Sequence, residues 1–304
     1  MGDPFDLRDE AAYGRWREGK LTSCPASAAE LTVEIARLGS VGARERGAIL
    51  DRCRRANMAI YACRDGGAAD PAADPAALRA FAEGFGLRRF DRHLCADECG
   101  VSELAVAEAG QRRGYVPYSD RGLSWHTDGY YNEASAAIRS VLLHCRETAE
   151  TGGENGLLDH EIAYIRLRDE DPAYIEALMH PEAMTIPANR EGGREIRPAR
   201  SGPVFSVDPA TGALHMRYSA RARNIVWRDD PATRAAVAFL NDLLTDPDGP
   251  AVRCRLAPGQ GIIANNVLHD RAGFRDGPAH RRLVYRMRFL DRIAEPGAVG
   301  ALQG

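Results

Sequence analysis

From about residue 100 onward the chain breaks into short apolar stretches of strand length, each closed by turn residues. "AAIRSVLLHC" (136–145) reads as a buried strand. "VFSVDPATGALHMRYS" (204–219) reads as a hairpin turning at Asp-Pro-Ala-Thr-Gly, and "AVRCRLAPGQGIIANN" (251–266) as a second one turning at Pro-Gly-Gln-Gly. "RRLVYRMRFLD" (281–291) alternates apolar and arginine positions as a last strand, and "DDPATRAAVAFLNDLLTDP" (229–247) reads as a capped amphipathic helix. The N-terminal third is mixed. Helical patterns cover 27–38 and 43–56, a strand follows at 58–63, and a helix at 75–86 has Asp74 as N-cap and Gly86 as its end. Many spaced strands and few long helices point to a β-sandwich or barrel core with helical decoration.

Composition narrows the function classes. A net charge of −3 gives no basic field for nucleic acid or acidic membrane, and no apolar run approaches the length of a membrane helix. The N-terminus is acidic and polar, unlike a secretory signal. Seven scattered cysteines make an odd count, which fits reduced thiols in the cytoplasm rather than a disulfide framework. His93, Cys95 and Cys99 lie close together, but no second pair completes a zinc site.

The segment "GLSWHTDGYYN" (122–132) places His126 and Asp128 two residues apart, so on a strand both aim at one point while Thr127 turns away. Alone, such a pair also fits exposed polar residues at a strand end. His269, in "IIANNVLHDRAGF", follows an apolar strand, where a satisfied core histidine is the plain alternative. Thirteen residues further on lies Arg282, which shares a strand face with Val284, Arg286 and Arg288. An arginine facing an interior needs an anion, whereas a solvated face would suit Arg288. Two histidines and one carboxylate with open positions favour non-haem Fe(II) oxygen chemistry. The zinc-hydrolase signature H-E-x-x-H is absent from the sequence.

Together "LSWHTDGYY", "CRETAETGGENGLLDH", "NNVLHDRAGF" and "HRRLVYRMRFLD" resemble the taurine dioxygenase family of Fe(II)/2-oxoglutarate-dependent oxygenases, which includes gamma-butyrobetaine hydroxylase-like members. The likeness runs from "MAIYACRDGG" to "MRFLDR". It implies a double-stranded β-helix (jelly roll) with flanking helices. His126, Asp128 and His269 would ligate the iron, and Arg282 would bind the distal carboxylate of 2-oxoglutarate. Asn155 stands where relatives carry a small hydroxyl residue, and its amide can donate the same hydrogen bond. Arg286, four residues past Arg282, would reach the anion of the primary substrate.

The resemblance also implies Fe(II), 2-oxoglutarate and O2 as cofactor and cosubstrates, with release of succinate and CO2 and hydroxylation of a C–H bond. The carboxylate Asp128 argues against halogenation. The expected substrate is a small amino-acid-like or other anionic molecule. Candidates to line its pocket are Tyr118, Trp125, Tyr130, Tyr131, Arg217 and Arg221, with Tyr115, Asn132, Tyr218, Arg223 and Asn224 as further ones; core packing or a solvated loop is the plain alternative for each. The expected organisation is one catalytic domain over 1–304, with an N-terminal helical elaboration (1–56) and a core (57–292). That core carries a lid-like, irregular insertion near 160–230. Homo-oligomerisation through the N-terminal helices is a further expectation. The competing readings are desaturation or oxidative cleavage by the same iron chemistry, a non-catalytic metal- or ligand-binding jelly roll, and a zinc lyase or hydrolase.

Overall fold

The computed structural model describes residues 2–64, 75–91, 98, 100–107, 114–192, 194–221, 223 and 225–295. The Asp74 cap, the His93/Cys95/Cys99 group and Asn224 lie outside them. The chain falls into two compact units. One comprises Met1–Cys24, Ser124–Ala137 and Leu158–Ala251, and the other Pro25–Leu123, Ile138–Leu157 and Val252–Gly304.

The second unit is built on a six-stranded sheet. With elements numbered along the chain, it holds β1 (Thr32–Ile35), β2 (Met58–Cys63), β3 (Ser102–Leu104), β5 (Ser140–Glu147), β16 (Gln260–Ala264) and β19 (Leu283–Phe289). Their order is β1-β2-β16-β5-β19-β3. Alternate residues of each strand leave by opposite faces, and both faces are apolar. Tyr61, Leu142, Ile263, Met287 and Phe289 form one core, together with residues of α3 (Ala43–Ala56) and α4 (Pro75–Glu83). Ile60, Cys145, Ile262 and Val284 form the other, with Leu31 of α2 (Ala28–Leu31) and the second-sheet residues Leu157 and Val252. Each buried Ile or Leu contributes roughly 1.5–3 kcal/mol.

That second sheet runs β15-β7-β17-β4. Its strands are β4 (Leu123–His126), β7 (Asn155–Leu158), β15 (Val252–Cys254) and β17 (Leu268–Arg271). Shared apolar residues between two sheets, with helices on the outer face, are the arrangement expected of a jelly roll. A two-stranded ribbon, β6 (Thr151–Gly152) with β18 (Phe274–Arg275), sits beside them.

Two expectations are corrected here. The 27–38 segment is helical only over α2; Thr-Val-Glu-Ile then becomes β1, parallel to β2, because Val33 and Ile35 bury alternately as a strand requires. The 251–266 segment is no hairpin. β15 pairs with β7 and β16 with β2 and β5, so the Pro-Gly-Gln-Gly turn carries the chain from one sheet to the other. Gly261 makes this crossing tight: a Cβ there would stand 2.2 Å from the Tyr61 ring and 2.3 Å from the Leu143 carbonyl oxygen.

The first unit holds α1 (Glu10–Ser23), α5 (His160–Glu170), α6 (Pro172–Met179) and α7 (Pro231–Thr245). Its strands are β8 (Met184–Ile186), β9 (Asn189–Glu191), β10 (Arg194–Arg197), β11 (Arg200–Gly202), β12 (Phe205–Val207), β13 (Leu214–Met216) and β14 (Val226–Trp227). The segment read as an irregular cover from 160 therefore opens with two helices. Asp159 caps the first, Asp171 caps the second and Pro172 starts it, signals that outweigh a weak periodicity. Phe5, Trp16, Tyr164 and Phe205 pack edge to face at 5.1–6.1 Å between centroids. Lys20 anchors α1 to the start of α5, with Nζ 2.6 Å from Asp159 and 2.5 Å from Glu161. β12 and β13 make the expected 204–219 hairpin.

Candidate functional site

β4 ends at His126, so Asp128 lies in the turn beyond the strand rather than on it. Gly129 bends the chain there with φ +67°, a conformation that costs glycine nothing. His126 Nε2 then stands 3.7 Å from Asp128 Oδ1. Thr127 turns away as alternation requires: its amide donates to the Tyr218 carbonyl and its Oγ1 accepts from the Tyr218 amide, each at 3.0 Å.

His269 belongs to β17, the neighbour of β4 in the second sheet. Ligand atoms of His126, Asp128 and His269 all lie within 4.8 Å of one another. One device orients both imidazoles. His126 Nδ1 is 2.9 Å from the Ser124 carbonyl oxygen, and His269 Nδ1 is 2.9 Å from that of Val267. A carbonyl oxygen only accepts, so each Nδ1 carries the proton and each Nε2 presents its lone pair. His126 and Asp128 are both buried, which shields the group from water. Two imidazole nitrogens and one carboxylate oxygen suit a single Fe(II) with remaining positions open.

The loop before β4 is fixed by a residue that sequence reasoning missed. Arg271, at the end of β17, is buried, and its Nη2 donates to the carbonyls of Ser119 and Arg121 at 2.9 and 2.5 Å. Its position two residues beyond His269 on one strand was the available signal. Burial and the charge of Arg282 push its guanidinium down to about 10. Asp270 is the other missed residue. Its Oδ1 accepts from the Gly156 amide at 2.8 Å and from Arg253 Nη1 at 2.7 Å, joining β17 to β7 next to His269.

Arg282 precedes β19 and is 7% exposed. It lines a small, partly open cavity together with Leu143, Cys145, Gly153, Asn155 and Val284. The Thr-Gly-Gly turn shapes this cavity. Gly152 and Gly153 both take positive φ, and a Cβ on Gly152 would stand 2.3 Å from the Gly273 carbonyl oxygen. β18 is thereby held close, and the guanidinium carbons of Arg271 and Arg282 lie 4.9 and 5.2 Å from the centre of its Phe274 ring. Arg282 Nη1 is buried without a hydrogen-bond partner in the protein. Burial pushes its guanidinium below the usual value, although Cys145 and Asp276 oppose this. A buried cation with an unused donor facing a cavity fits an anionic ligand.

Arg286 and Arg288 are buried on the same face of β19 as Val284. The solvated position read for Arg288 is corrected: it pairs with Asp91. Three candidates for contact with a substrate are corrected as well. Tyr118 is 4% exposed and packs in the apolar core with Cys145, Leu157 and Val284. Trp125 precedes His126 on β4, so the pleat turns it to the opposite side. Arg217 is spent on backbone: Nε donates to Tyr130, Nη1 to Met184 and Gly202, and Nη2 to Arg200. Tyr218 also serves the core, its hydroxyl donating to Asn241 at 2.8 Å. Tyr130, Tyr131 and Asn132 are half-buried beyond Asp128, with the Tyr130 ring edge-on to His126 at 6.5 Å. Arg221, Arg223 and Tyr115 are exposed.

Comparison with known proteins gives a consistent picture. Residues 67–288 match the model of the taurine catabolism dioxygenase TauD, TfdA family. A uridine-5'-phosphate dioxygenase of an Amycolatopsis species is 30% identical over 62% of this chain and 74% of its own length. One of a Streptomyces species is 28% identical over 69% and 77%. Among solved structures, asparagine oxygenase with Fe(II), 3-hydroxyasparagine and succinate superposes with a TM-score of 0.57 at 18% identity, covering 82% of this chain and 80% of that one. A taurine dioxygenase of Burkholderia xenovorans gives a TM-score of 0.56 at 17% identity, over 87% and 89%.

Proposed function

This chain belongs to the TauD/TfdA family of dioxygenases, and from that premise we propose how its residues divide the work. It is a non-haem iron, 2-oxoglutarate-dependent oxygenase acting on a small anionic molecule. His126, Asp128 and His269 hold the iron, and Arg282 holds the distal carboxylate of 2-oxoglutarate with the Asn155 amide beside it. The observation that carries this reading is the convergence of the three ligand atoms within 4.8 Å. When bound, iron and 2-oxoglutarate supply an oxidative decarboxylation that releases succinate and CO2 and oxidises a substrate C–H bond. The chain's own residues position and exclude. The Ser124 and Val267 carbonyls hold Nδ1–H of each imidazole and turn its Nε2 forward. Asp128 contributes the negative charge of the ligand set, and its presence favours hydroxylation over halogenation. Arg282, 7% exposed, excludes water from the carboxylate it grips and so strengthens the contact.

For the substrate, relatives at 28–30% identity named for uridine 5'-phosphate support a phosphate monoester over the amino-acid-like acid expected from sequence. The test is succinate release from 2-oxoglutarate with ferrous iron under air, with uridine 5'-phosphate and then an amino-acid panel as prime substrate. Stimulation by the nucleotide is expected. Stimulation by an amino acid alone would overturn the phosphate reading, and no succinate under any condition would overturn the oxygenase assignment of these residues. Product mass separates hydroxylation from desaturation.

A further inference from the structure

The Arg282 side chain is placed by something other than hydrogen bonds. Its backbone amide donates to Asp276 Oδ1 at 2.9 Å, but its buried Nη1 has no partner in the protein. Among the described residues no carboxylate pairs with its guanidinium. What the guanidinium does have is a ring: its carbon lies 5.2 Å from the centre of Phe274. A cation held over an aromatic face is attracted to it, most strongly where water is excluded. The contact has a property that a hydrogen bond lacks. It orients the planar group and uses none of its five N–H donors. A carbonyl or carboxylate in the same place would occupy donors that a bound dicarboxylate needs.

Arg271 shows the contrast at the same ring. Its guanidinium carbon is 4.9 Å from the Phe274 centre. Its Nη2, however, is spent on the Ser119 and Arg121 carbonyls, and its Nη1 reaches that of Pro117 at 3.5 Å. Arg271 is therefore anchored to the 117–121 loop, whereas Arg282 keeps its fork.

The ring is held from two sides. Phe274 is buried, and its amide donates to the Asp120 carbonyl at 2.9 Å. Towards the Thr-Gly-Gly turn, the Ala272 amide donates to the Glu154 carbonyl at 2.8 Å and the Gly153 amide to the Gly273 carbonyl at 3.1 Å. In the β6–β18 ribbon Phe274 stands opposite Gly152. A Cβ built on Gly153 would lie 3.6 Å from Phe274 Cβ and 3.6 Å from Arg282 Nε, so turn, ring and guanidinium converge on one spot. A side chain rooted in so fixed a turn is a firm surface for its neighbour.

We propose that Phe274 is a positioning residue for the cosubstrate: its ring sets the plane of the Arg282 guanidinium and leaves the donors of that fork free for the distal carboxylate. The proposal rests on the reading of Arg282 as the carboxylate partner. A fork oriented in advance loses less freedom on binding than a rotating one, so the ring acts on cosubstrate affinity and not on metal affinity.

The experiment is a calorimetric titration of the full-length, Mn(II)-loaded protein with 2-oxoglutarate, with the Mn(II) Kd of each variant measured beside it. Phe274→Leu keeps an apolar side chain and removes the ring. It should weaken 2-oxoglutarate by about three- to thirty-fold, the range of a cation–π contact, while Mn(II) binds as in wild type. Phe274→Tyr keeps the ring and should bind 2-oxoglutarate close to wild type; equal weakening in the two variants overturns the proposal. A double-mutant cycle with Arg282→Met separates positioning from packing. A ring that acts through the guanidinium adds little to the loss that Arg282→Met already causes. The same factor lost in both backgrounds would mean plain packing and would overturn the proposal. Unchanged affinity in Phe274→Leu, with Arg282→Met weakened, sinks only the role of Phe274. Unchanged affinity in Arg282→Met sinks the carboxylate reading on which that role rests.

Discussion

At the scale of single residues, side-chain chemistry separates what the sequence could announce from what it could not. His126 and Asp128 stood out because, two residues apart, they could share one strand face, and His269 joined them as a ligand through the family resemblance. Arg282 stood out because an arginine in an apolar strand demands a reason. Tyr118, Trp125 and Arg217 belong to types that serve a core or a backbone clamp as readily as a ligand. The choice was made by neighbours distant in the chain, such as the carbonyls of residues 130, 184, 200 and 202 around Arg217. Asp270 and Arg271 were missed for a related reason: their partners are mostly main-chain groups, and only the spacing of Arg271 from His269 hinted at a role. The buried, partnerless Nη1 of Arg282 gives a direct prediction. Arg282→Met keeps much of the apolar volume and removes the charge. It should raise the KM for 2-oxoglutarate by about ten- to a hundred-fold, the worth of a charge-assisted hydrogen bond. The Kd for Mn(II) should stay near wild type. A 2-oxoglutarate KM within two-fold of wild type would remove Arg282 from the cosubstrate.

At the scale of elements, local signals worked where they were redundant. α7 has its Asp230 cap, its Pro231 start and an apolar stripe, and β19 alternates cleanly. They failed where partner choice decided. β15 and β16 look like a hairpin because a Pro-Gly turn joins them, yet each finds its hydrogen bonds in a different sheet. β1 looked helical because its four residues follow a genuine turn of helix. Glycines show the same contrast between local and tertiary demand. Gly152 and Gly212 both take positive φ. A Cβ at Gly212 meets nothing within 4 Å, so Gly212→Ala should cost only the conformational penalty, about 1–2 kcal/mol. A Cβ at Gly152 meets the Gly273 oxygen at 2.3 Å, so Gly152→Ala must also push β18 away. A further 1–3 kcal/mol of overpacking is expected. Urea unfolding of the two variants measures the difference, and equal midpoints would show that the β6–β18 approach yields at no cost.

At the scale of the whole molecule, the sequence implied a jelly roll with flanking helices, and the two sheets and the family match agree with it. The division of 304 residues into two units was not legible, because each unit is assembled from three separated segments and no linker composition marks the joins. No helix of the described chain is long and apolar enough to cross a membrane. Ligand linkage joins the parts of the proposed site in one measurement. A ligand that binds only the folded state adds about 2.7 kcal/mol when present at a hundred times its Kd, enough to raise Tm by several degrees. Mn(II) should therefore stabilise wild type and Arg282→Met alike, and leave His269→Ala unmoved. 2-Oxoglutarate added on top should give a second increment in wild type alone, since on the proposed reading His269→Ala would lack the metal and Arg282→Met would lack the hold on the far carboxylate. The ordering separates the roles: metal dependence tests His269, and cosubstrate dependence on top of metal tests Arg282. A Mn(II) response surviving in His269→Ala would place the ion elsewhere, whatever the activity of the enzyme.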